Sequence, residues 1–484
     1  NTFGQYFVRL PLKKAAKIVH GNALRIDWEE VISKEKLNFI LGNPPFVGHH
    51  YQTLDQKEDL KLVLDKITGS GVMDYVSAWF YKSAQFIQDT TIKVGLVSTN
   101  SISQGEQSSI LWNVLINEFN ISIHFAYRTF KWSNEAKGNA AVHCVIIGFA
   151  GFEANEKYLF DYQTITSEPL LIKAKNINPY LINANNILVF NRKYPLCNVP
   201  NMIYGNKPTD GGNFILTEPE KEEFLKLEPN AEKWIRPYTG AQEFINGYTR
   251  YCLWLVNISP SELKALPEVI KKVDKVKNFR LKSKAASTRK FAATPTLFRQ
   301  IAQPDTNYLL IPSVSSEKRK YIPIGFISKE VIASNLCFII SNANLYLFGI
   351  LTSEMHMTWV KYVCGRLKSD YRYSKDIVYN NYPFPENITD KQKQTVETCA
   401  QAVLDTRVKY PDSSLADLYD PLTMPPDLLK AHQKLDKAVD LCYRPQPFTS
   451  ELNRIEYLFE LYEKLTAPLL PTSKQKPAKR KNPQ

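Results

Sequence analysis

Residues 37–46 read Leu-Asn-Phe-Ile-Leu-Gly-Asn-Pro-Pro-Phe, and this stretch decides the fold of the first part of the chain. An apolar run of strand length ends in a glycine and is followed by Asn43, Pro44, Pro45 and Phe46. Two consecutive prolines fix the backbone angle φ and remove two hydrogen-bond donors, so the turn cannot continue as a helix. The pattern therefore predicts a buried strand that ends in a rigid turn.

The residues on either side of this turn alternate between strand-like and helix-like patterns. Short apolar runs predict strands at 17–19, 37–41, 93–97, 121–126 and 141–149. Helical periodicity is found between them, at 74–88 and 107–118. Such alternation is typical of an α/β fold with a mostly parallel sheet, in which ligands bind at the carboxyl ends of the strands.

The pattern changes after about residue 195. Short β-like runs, at 250–256, 308–311 and 321–326, lie between proline and glycine turns, with helical stretches around 217–230 and 260–280. We expect a mixed α+β domain over 196–386. Helical patterns dominate 387–484, where we expect an amphipathic helix around 455–465 that packs on other elements, and a disordered basic tail.

The turn at 43–46 has a chemical interpretation. The Asn43 side chain and the Pro44 carbonyl can form a rigid pair of hydrogen-bond acceptors. An exocyclic amine of a base is a poor nucleophile, because its lone pair is delocalised into the ring. Two acceptors that hold its hydrogens favour attack, and Phe46 offers an aromatic face to a base extruded from a duplex. The alternative is a rigid turn without chemistry.

The charge of the chain favours a polyanionic partner. The formal net charge is +13, and nine basic residues against one acid lie between Lys271 and Lys290. Basic side chains that neutralise phosphates release condensed counterions, which drives binding to nucleic acid. A solvated helix face is the alternative interpretation of such a run.

Cysteine and histidine usage points away from other classes of protein. Seven cysteines are scattered without a C-x-x-C pair, which predicts a reducing cytoplasm and neither disulfides nor a zinc site. The histidines form no cluster, so we expect no metal. No apolar run of 18 residues is present, so we expect no membrane partner.

At the Asn-Pro-Pro-Phe turn the chain resembles the MmeI-like family of fused restriction–modification proteins, which are adenine-N6 DNA methyltransferases. The resemblance implies a Rossmann-like sheet, S-adenosylmethionine as methyl donor and a catalytic role for residues 43–46. It implies that the segment 21–28 lies beside the adenine of the donor, with contacts from Asn22, Ala23 and Leu24. It also implies a second aromatic that stacks on the target base, either Phe130 or Trp132.

Residues further along the chain resemble the family's target-recognition domain. The similar stretches are 236–244, 250–255, 311–317 and 365–374. The resemblance implies double-stranded DNA as partner. The basic residues predicted to contact DNA are Lys282, Lys284, Arg289, Arg366, Lys368 and Arg372. Surface charge unrelated to DNA is the alternative for any one of them.

The chain also departs from the family pattern. No G-x-G loop precedes Asn22, the acid that holds the ribose of the donor is missing, and a fused N-terminal nuclease has no room. We therefore expect 1–195 to be the C-terminal part of a methyltransferase domain in an N-terminally truncated chain that methylates poorly alone. Two alternatives stay open: a DNA-binding specificity remnant without catalysis, and a methyltransferase that acts on protein glutamine or RNA.

Overall fold

The structure is a computed structural model that describes residues 16–132, 142–162, 167–367 and 369–467. For residues 131, 132 and 142 it describes the backbone alone. Two compact units divide the chain. The first contains residues up to 102 together with 107–183, and the second contains 103–106 and the residues from 184 onward. The predicted division at 195/196 and 386/387 stays a prediction.

One mixed sheet forms the centre of the first unit. Its strands are β1 (Phe39–Gly42), β2 (Lys93–Thr99), β3 (Ser122–Trp132), β4 (Val142–Ala150), β5 (Lys157–Tyr162) and β6 (Pro169–Ala174). The strand order is β1-β2-β4-β3-β5-β6. The helices are α1 (Trp28–Val31), α2 (Leu54–Leu64), α3 (Ser77–Phe86) and α4 (Gly105–Asn117).

The α/β class is confirmed, but the expectation of a mostly parallel sheet is wrong for the described strands. Only β1 with β2 and β3 with β5 pair in parallel. β4 runs antiparallel to both β2 and β3, and β6 runs antiparallel to β5. The reason is the short distance in sequence between β3 and β4, since nine residues are fewer than the dozen or more that a parallel crossover connection needs.

Two expectations about the start of the first unit are also wrong. Residues 17–19 form no strand, and Ile18 is 87% exposed. The strand before the turn exists but is not buried, since Phe39 and Leu41 are 61% and 80% exposed. β1 is at the edge of the described sheet and pairs only with β2 there, so an apolar run that resembles a buried strand has an uncovered face.

The described strands of the second unit form three small sheets. The strands are β7 (Ile203–Tyr204), β8 (Ile215–Leu216), β9 (Ile235–Thr239), β10 (Arg250–Leu253), β11 (Tyr308–Pro312), β12 (Val314–Ser315), β13 (Gly325–Ile327), β14 (Ile332–Ala333), β15 (Cys337–Ser341), β16 (Gly365–Leu367) and β17 (Asp370–Arg372). The orders are β14-β9-β10-β8, β13-β11-β15-β7 and β12-β17-β16. The predicted strand at 321–326 begins only at Gly325, because the backbone before it pairs with no strand.

Helices accompany these sheets and dominate the end of the second unit. Those within the mixed part are α5 (Glu218–Leu227), α6 (Ala241–Asn246), α7 (Pro260–Lys264), α8 (Pro267–Leu281), α9 (Ala286–Arg289), α10 (Leu345–Leu351) and α11 (Glu354–Val363). The later ones are α12 (Asp390–Val408), α13 (Leu415–Leu418), α14 (Pro426–Tyr443) and α15 (Glu451–Thr466). The predicted α+β domain and helical C-terminal region are confirmed.

Local sequence explains where several of these helices begin. Thr389 accepts a hydrogen bond from the backbone of Gln392, whose side chain accepts one from the Thr389 backbone, so α12 begins at a capping box. α5 begins in the same way at Thr217. In α15, the buried side chains of Ile455, Leu458, Phe459 and Tyr462 recur at helical spacing, as the sequence predicts.

The described residues show neither a membrane-spanning helix nor a metal cluster. Each helix among them is too short or too polar to cross a bilayer. The same residues contain no group of three or more histidine, cysteine or acidic side chains placed to hold a metal ion.

Candidate active site

The proline turn leaves β1 with its polar groups accessible. Asn43 is exposed, and its carboxamide makes no hydrogen bond within the described part of the chain. Pro44 is buried, Pro45 is exposed and Phe46 is partly buried. The Asn43 side chain is therefore free to bind a ligand instead of satisfying the core. The catalytic roles of Asn43, Pro44, Pro45 and Phe46 stay predictions.

Hydrogen bonds from the start of α3 hold the chain just after the turn. The Tyr75 N–H donates to the carbonyl of Val47 at 2.9 Å. The His49 N–H donates to Asp74 Oδ1 at 3.1 Å. Two adjacent residues thus fix both ends of the segment 47–49, which limits how far the turn can move.

The strand register places Phe130 near the carboxyl end of β3, at the same end of the strands as the turn after β1. Thr99 at the end of β2 pairs with Cys144, and Cys144 pairs with Phe130 on β3. Three strand spacings, roughly 14 Å, separate the backbones of β1 and β3. The Phe130 ring lies 5.7 Å from the ring of Tyr162, centre to centre. Trp132 ends β3, and its side chain lies outside the described residues, so neither stacking role is tested.

The segment predicted to contact the methyl donor forms a tight loop around Asn22. Asn22 Oδ1 accepts the Leu24 N–H at 3.0 Å, and Nδ2 donates to Asp59 Oδ2 at 2.9 Å. Leu24 is buried, and Ala23 is partly buried. The oxygen and the nitrogen of the Asn22 side-chain amide thus each already make one hydrogen bond. The contact of Asn22 with the methyl donor stays a prediction.

Asp59 also holds this loop, a role that no sequence motif predicted. It also accepts hydrogen bonds from Arg25 Nε and from the Tyr75 hydroxyl, each at 2.6 Å. Burial opposes ionisation of Asp59, but the hydrogen bonds from Tyr75, Arg25 and Asn22 outweigh it and lower the pKa of the carboxyl. Burial and the bond to Asp59 raise the pKa of Tyr75 to about 12.

Lys82 on α3 holds the same loop from the other side. Its ammonium donates to the carbonyls of Ala23, Leu24 and Ile26 at 2.9, 3.0 and 2.6 Å. Burial lowers the pKa of Lys82. The sequence signal that could have revealed Lys82 is a charged side chain among mostly apolar ones in a helical pattern, whereas Asp59 follows other polar residues and gives no such signal.

An apolar cavity of about 250 Å³ opens beside the loop. Its walls include Ala23, Ile26, Trp28, Leu37 and Phe86. Apolar and aromatic walls suit the face of a flat heterocycle. The loop predicted to contact the methyl donor therefore borders an apolar cavity.

Three of the predicted DNA contacts lie at the end of α8 and in α9. Lys282 and Lys284 are exposed, with no hydrogen bond from either side chain in the described structure. Arg289 is exposed as well, and its Nη1 donates to the carbonyls of Ser283 and Lys284, each at 2.8 Å. This segment, 282–289, therefore presents basic side chains to solvent.

Two other predicted contacts, Arg366 and Arg372, lie on the paired strands β16 and β17. Arg372 is exposed, and Lys368 lies outside the described residues. The Arg366 guanidinium lies 4.1 Å above the Tyr371 ring. It donates to Gln104 Oε1 and to the carbonyls of Lys361 and Ser369, at 3.1 to 3.2 Å. These internal bonds favour a structural role for Arg366, although its DNA contact stays untested.

Models of protein families match most of the chain. The model described as the MmeI DNA-methyltransferase domain matches residues 1–161. The MmeI target recognition domain matches 183–386, and the MmeI C-terminal domain matches 388–470. All three belong to the same named protein, in the order expected from the sequence.

Individual proteins show the same similarity. The chain is 42% identical over 460 residues to "DNA methyltransferase A" of Bacillus subtilis (strain 168), which covers 94% of this chain and 51% of the relative. A solved structure of the type IIL restriction–modification enzyme MmeI in complex with DNA is 50% identical, with a TM-score of 0.85. That match covers 96% of this chain and 62% of the solved chain. The chain thus spans about half to two thirds of the length of these relatives.

Proposed function

The chain belongs to the MmeI family of restriction–modification proteins, and we propose that it carries the catalytic turn and the DNA-reading domain of a site-specific adenine-N6 methyltransferase. One observation carries the catalytic part of the proposal. The Asn43 carboxamide is exposed at the carboxyl end of β1, with no internal hydrogen bond in the described structure. The carboxamide is therefore accessible to a ligand at the strand end where α/β sheets bind their ligands.

The chemistry follows from two oxygens and two aromatic faces. Asn43 Oδ1 and the Pro44 carbonyl accept the two hydrogens of the adenine amine, which lowers the cost of charge developing on its nitrogen. Phe46 and either Phe130 or Trp132 hold the extruded base by stacking. Bound S-adenosylmethionine would supply an electrophilic methyl group. Residues 22–24 and the cavity beside them would hold its adenosine end.

The proposal extends to the rest of the chain. Residues 1–195 are part of the methyltransferase domain, 196–386 form the target-recognition domain, and 387–484 support it. Double-stranded DNA is the partner, and the basic residues that contact it are Lys282, Lys284, Arg289, Arg366, Lys368 and Arg372. The role is protection of host DNA within a restriction–modification system. The seven cysteines are all free, which supports a cytoplasmic location.

Substitution of Asn43 tests the catalytic part directly. In the complete gene product, Asn43→Ala should lower the rate of adenine methylation by roughly 100-fold or more, because one of two preorganised acceptors is removed. Affinity for DNA should change by less than about threefold, since phosphate contacts supply most of it. Methylated adenines are mapped in host DNA, and DNA affinity is measured by fluorescence anisotropy.

Asn38→Ala is the matched control, because Asn38 is also exposed and lies just before the same strand. It should methylate like the unsubstituted protein. If Asn43→Ala methylates as well as this control does, the catalytic assignment is wrong. If the unsubstituted protein binds DNA but methylates nothing, the chain is a specificity module without catalysis.

A further inference from the structure

A carboxylate outside the predicted motifs joins three segments around the turn. Asp74 Oδ1 accepts the His49 N–H at 3.1 Å. Asp74 Oδ2 accepts the Ser101 hydroxyl at 2.6 Å and the Gln107 side-chain amide at 3.0 Å. The Asp74 N–H in turn donates to Gln107 Oε1 at 2.9 Å. The Asp74 side chain is only 15% exposed, so these bonds are largely shielded from water.

Each of the joined segments borders the candidate active site. His49 follows Phe46 by three residues. Ser101 follows the carboxyl end of β2, which is the neighbour of β1, and its hydroxyl lies 2.6 Å from that of Thr99. Gln107 lies in the first turn of α4. The carboxylate therefore sets the distance between the catalytic turn, the end of β2 and α4.

We propose that Asp74 is a positioning residue that fixes the catalytic turn for methyl transfer. The inference rests on the proposed function, because it assigns no contact between Asp74 and the base. Preorganised acceptors act only when they are held in the productive geometry, and a displacement of about 1 Å can cost roughly 100-fold in rate. Three donors that converge on one shielded carboxylate provide that constraint.

Asp74 and Gln107 form two hydrogen bonds with each other, and each residue contributes one donor and one acceptor. Substitutions that exchange these donors and acceptors therefore test the inference. In Asp74→Asn one carboxylate oxygen becomes an amide group, which meets either the Gln107 amide group or the His49 N–H, donor against donor in both cases. Rotation of the Gln107 side chain by half a turn does not help, because its amide would then meet the Asp74 N–H. In Gln107→Glu two carboxylates meet instead. In the double variant, the new carboxylate accepts both the backbone N–H and the new amide at position 74. The Ser101 hydroxyl turns to accept the second hydrogen of that amide and donates to the Thr99 hydroxyl, 2.6 Å away, so all partners are satisfied.

The experiment uses the complete gene product and compares both single variants with the double variant. We expect each single variant to lower kcat by roughly 10- to 100-fold, with KM for DNA and for S-adenosylmethionine within about threefold. The double variant should recover to within about threefold of the unsubstituted kcat. Asp65→Asn, which removes the same charge from an exposed position on the same unit, is the control and should change nothing.

Hydrogen exchange gives a readout that does not depend on activity. The peptide containing residues 47–52 should exchange faster in Asp74→Asn and regain its protection in the double variant, because the His49 N–H is held by Asp74. The inference is overturned if Asp74→Asn keeps full kcat, or if the double variant is no better than the two single effects multiplied. If Asn43→Ala also keeps full activity, the proposed function itself fails, which separates the two outcomes.

Discussion

Arg280 lies in the most basic stretch of the chain, yet its side chain is fully buried in the second unit. Its guanidinium donates to the carbonyls of five residues at 2.7 to 3.0 Å. These are Pro208, Thr209, Phe291, Thr294 and Leu297. All five N–H donors of an arginine are therefore used to join α8 to two loops. Arg280 therefore belongs to a basic run in the sequence, but in the fold its side chain holds α8 and two loops together.

Replacement of this side chain should destabilise the second unit. In Arg280→Lys the ammonium has three donors for five carbonyls, so at least two of the five hydrogen bonds are lost. We expect the free energy of unfolding to fall by roughly 2 to 6 kcal/mol, at about 1 to 3 kcal/mol for each lost hydrogen bond. Denaturant unfolding followed by circular dichroism measures the change. Arg289→Lys, at an exposed arginine nearby, should cost less than about 0.5 kcal/mol. Equal stability of the two variants would contradict the role assigned to Arg280.

At the scale of an element, α14 carries a buried carboxyl into the core of the second unit. Asp436 on this helix accepts hydrogen bonds from the Tyr321 hydroxyl at 2.6 Å and from the Glu354 N–H at 2.7 Å. Burial raises the pKa of Asp436 to about 6, although both hydrogen bonds oppose that change. The Glu354 carboxylate raises it further, and Lys320 lowers it. The folded state therefore favours the protonated form.

This raised pKa predicts how stability depends on pH. The pKa of Asp436 in the folded state exceeds its value of about 3.9 in the unfolded state. The protonated carboxyl therefore stabilises the fold fully below a pH of about 3.9, and this stabilisation is lost as the pH rises through about 6. The loss should amount to roughly 2 to 3 kcal/mol, at about 1.4 kcal/mol per pKa unit.

Asp436→Asn removes the titrating group but keeps an oxygen for the Glu354 N–H and an amide for the Tyr321 hydroxyl. Its stability relative to the unsubstituted protein should therefore increase between pH 4 and pH 7, as measured by urea unfolding across that range. A difference that stays constant with pH would show that Asp436 does not titrate in this window.

At the scale of the whole molecule, the net charge of +13 acts on DNA only through basic groups that reach solvent. Within the run from Lys271 to Lys290, some basic side chains reach solvent and others do not. Arg280 is buried, and Lys272 is partly buried and donates to the Asn213 carbonyl. Lys282 and Lys284 are exposed. The formal charge of the run thus overstates the charge available to phosphates.

Salt dependence measures how many of these groups bind phosphate. For the double variant Lys282→Gln, Lys284→Gln, the slope of log Kobs against log salt should become shallower by about 0.9 for each phosphate that is no longer neutralised, or roughly 1 to 2 in total. The matching change at two exposed lysines of α12, Lys391→Gln with Lys393→Gln, should leave the slope unchanged. DNA binding is titrated at several salt concentrations. A slope that responds equally to both double variants would mean that the segment 282–289 is not a specific contact surface.

The sequence by itself determined the features that depend on neighbouring residues. The proline turn at 43–46, the capping box at Thr389 and the apolar face of α15 are local, because backbone angles and helical spacing act over a few positions. The family resemblance could also be identified from the sequence, because it depends on motifs along the chain.

Only the tertiary structure decided which charged groups hold these pieces together. Asn22 meets Asp59 across 37 positions, and Asp74 meets Gln107 across 33. Whether an apolar run is covered, as β1 is not, or whether a basic residue is buried, as Arg280 is, depends on which distant elements pack beside it. Burial and hydrogen bonding are properties of pairs of residues brought close by the fold, and spacing along one chain does not contain them.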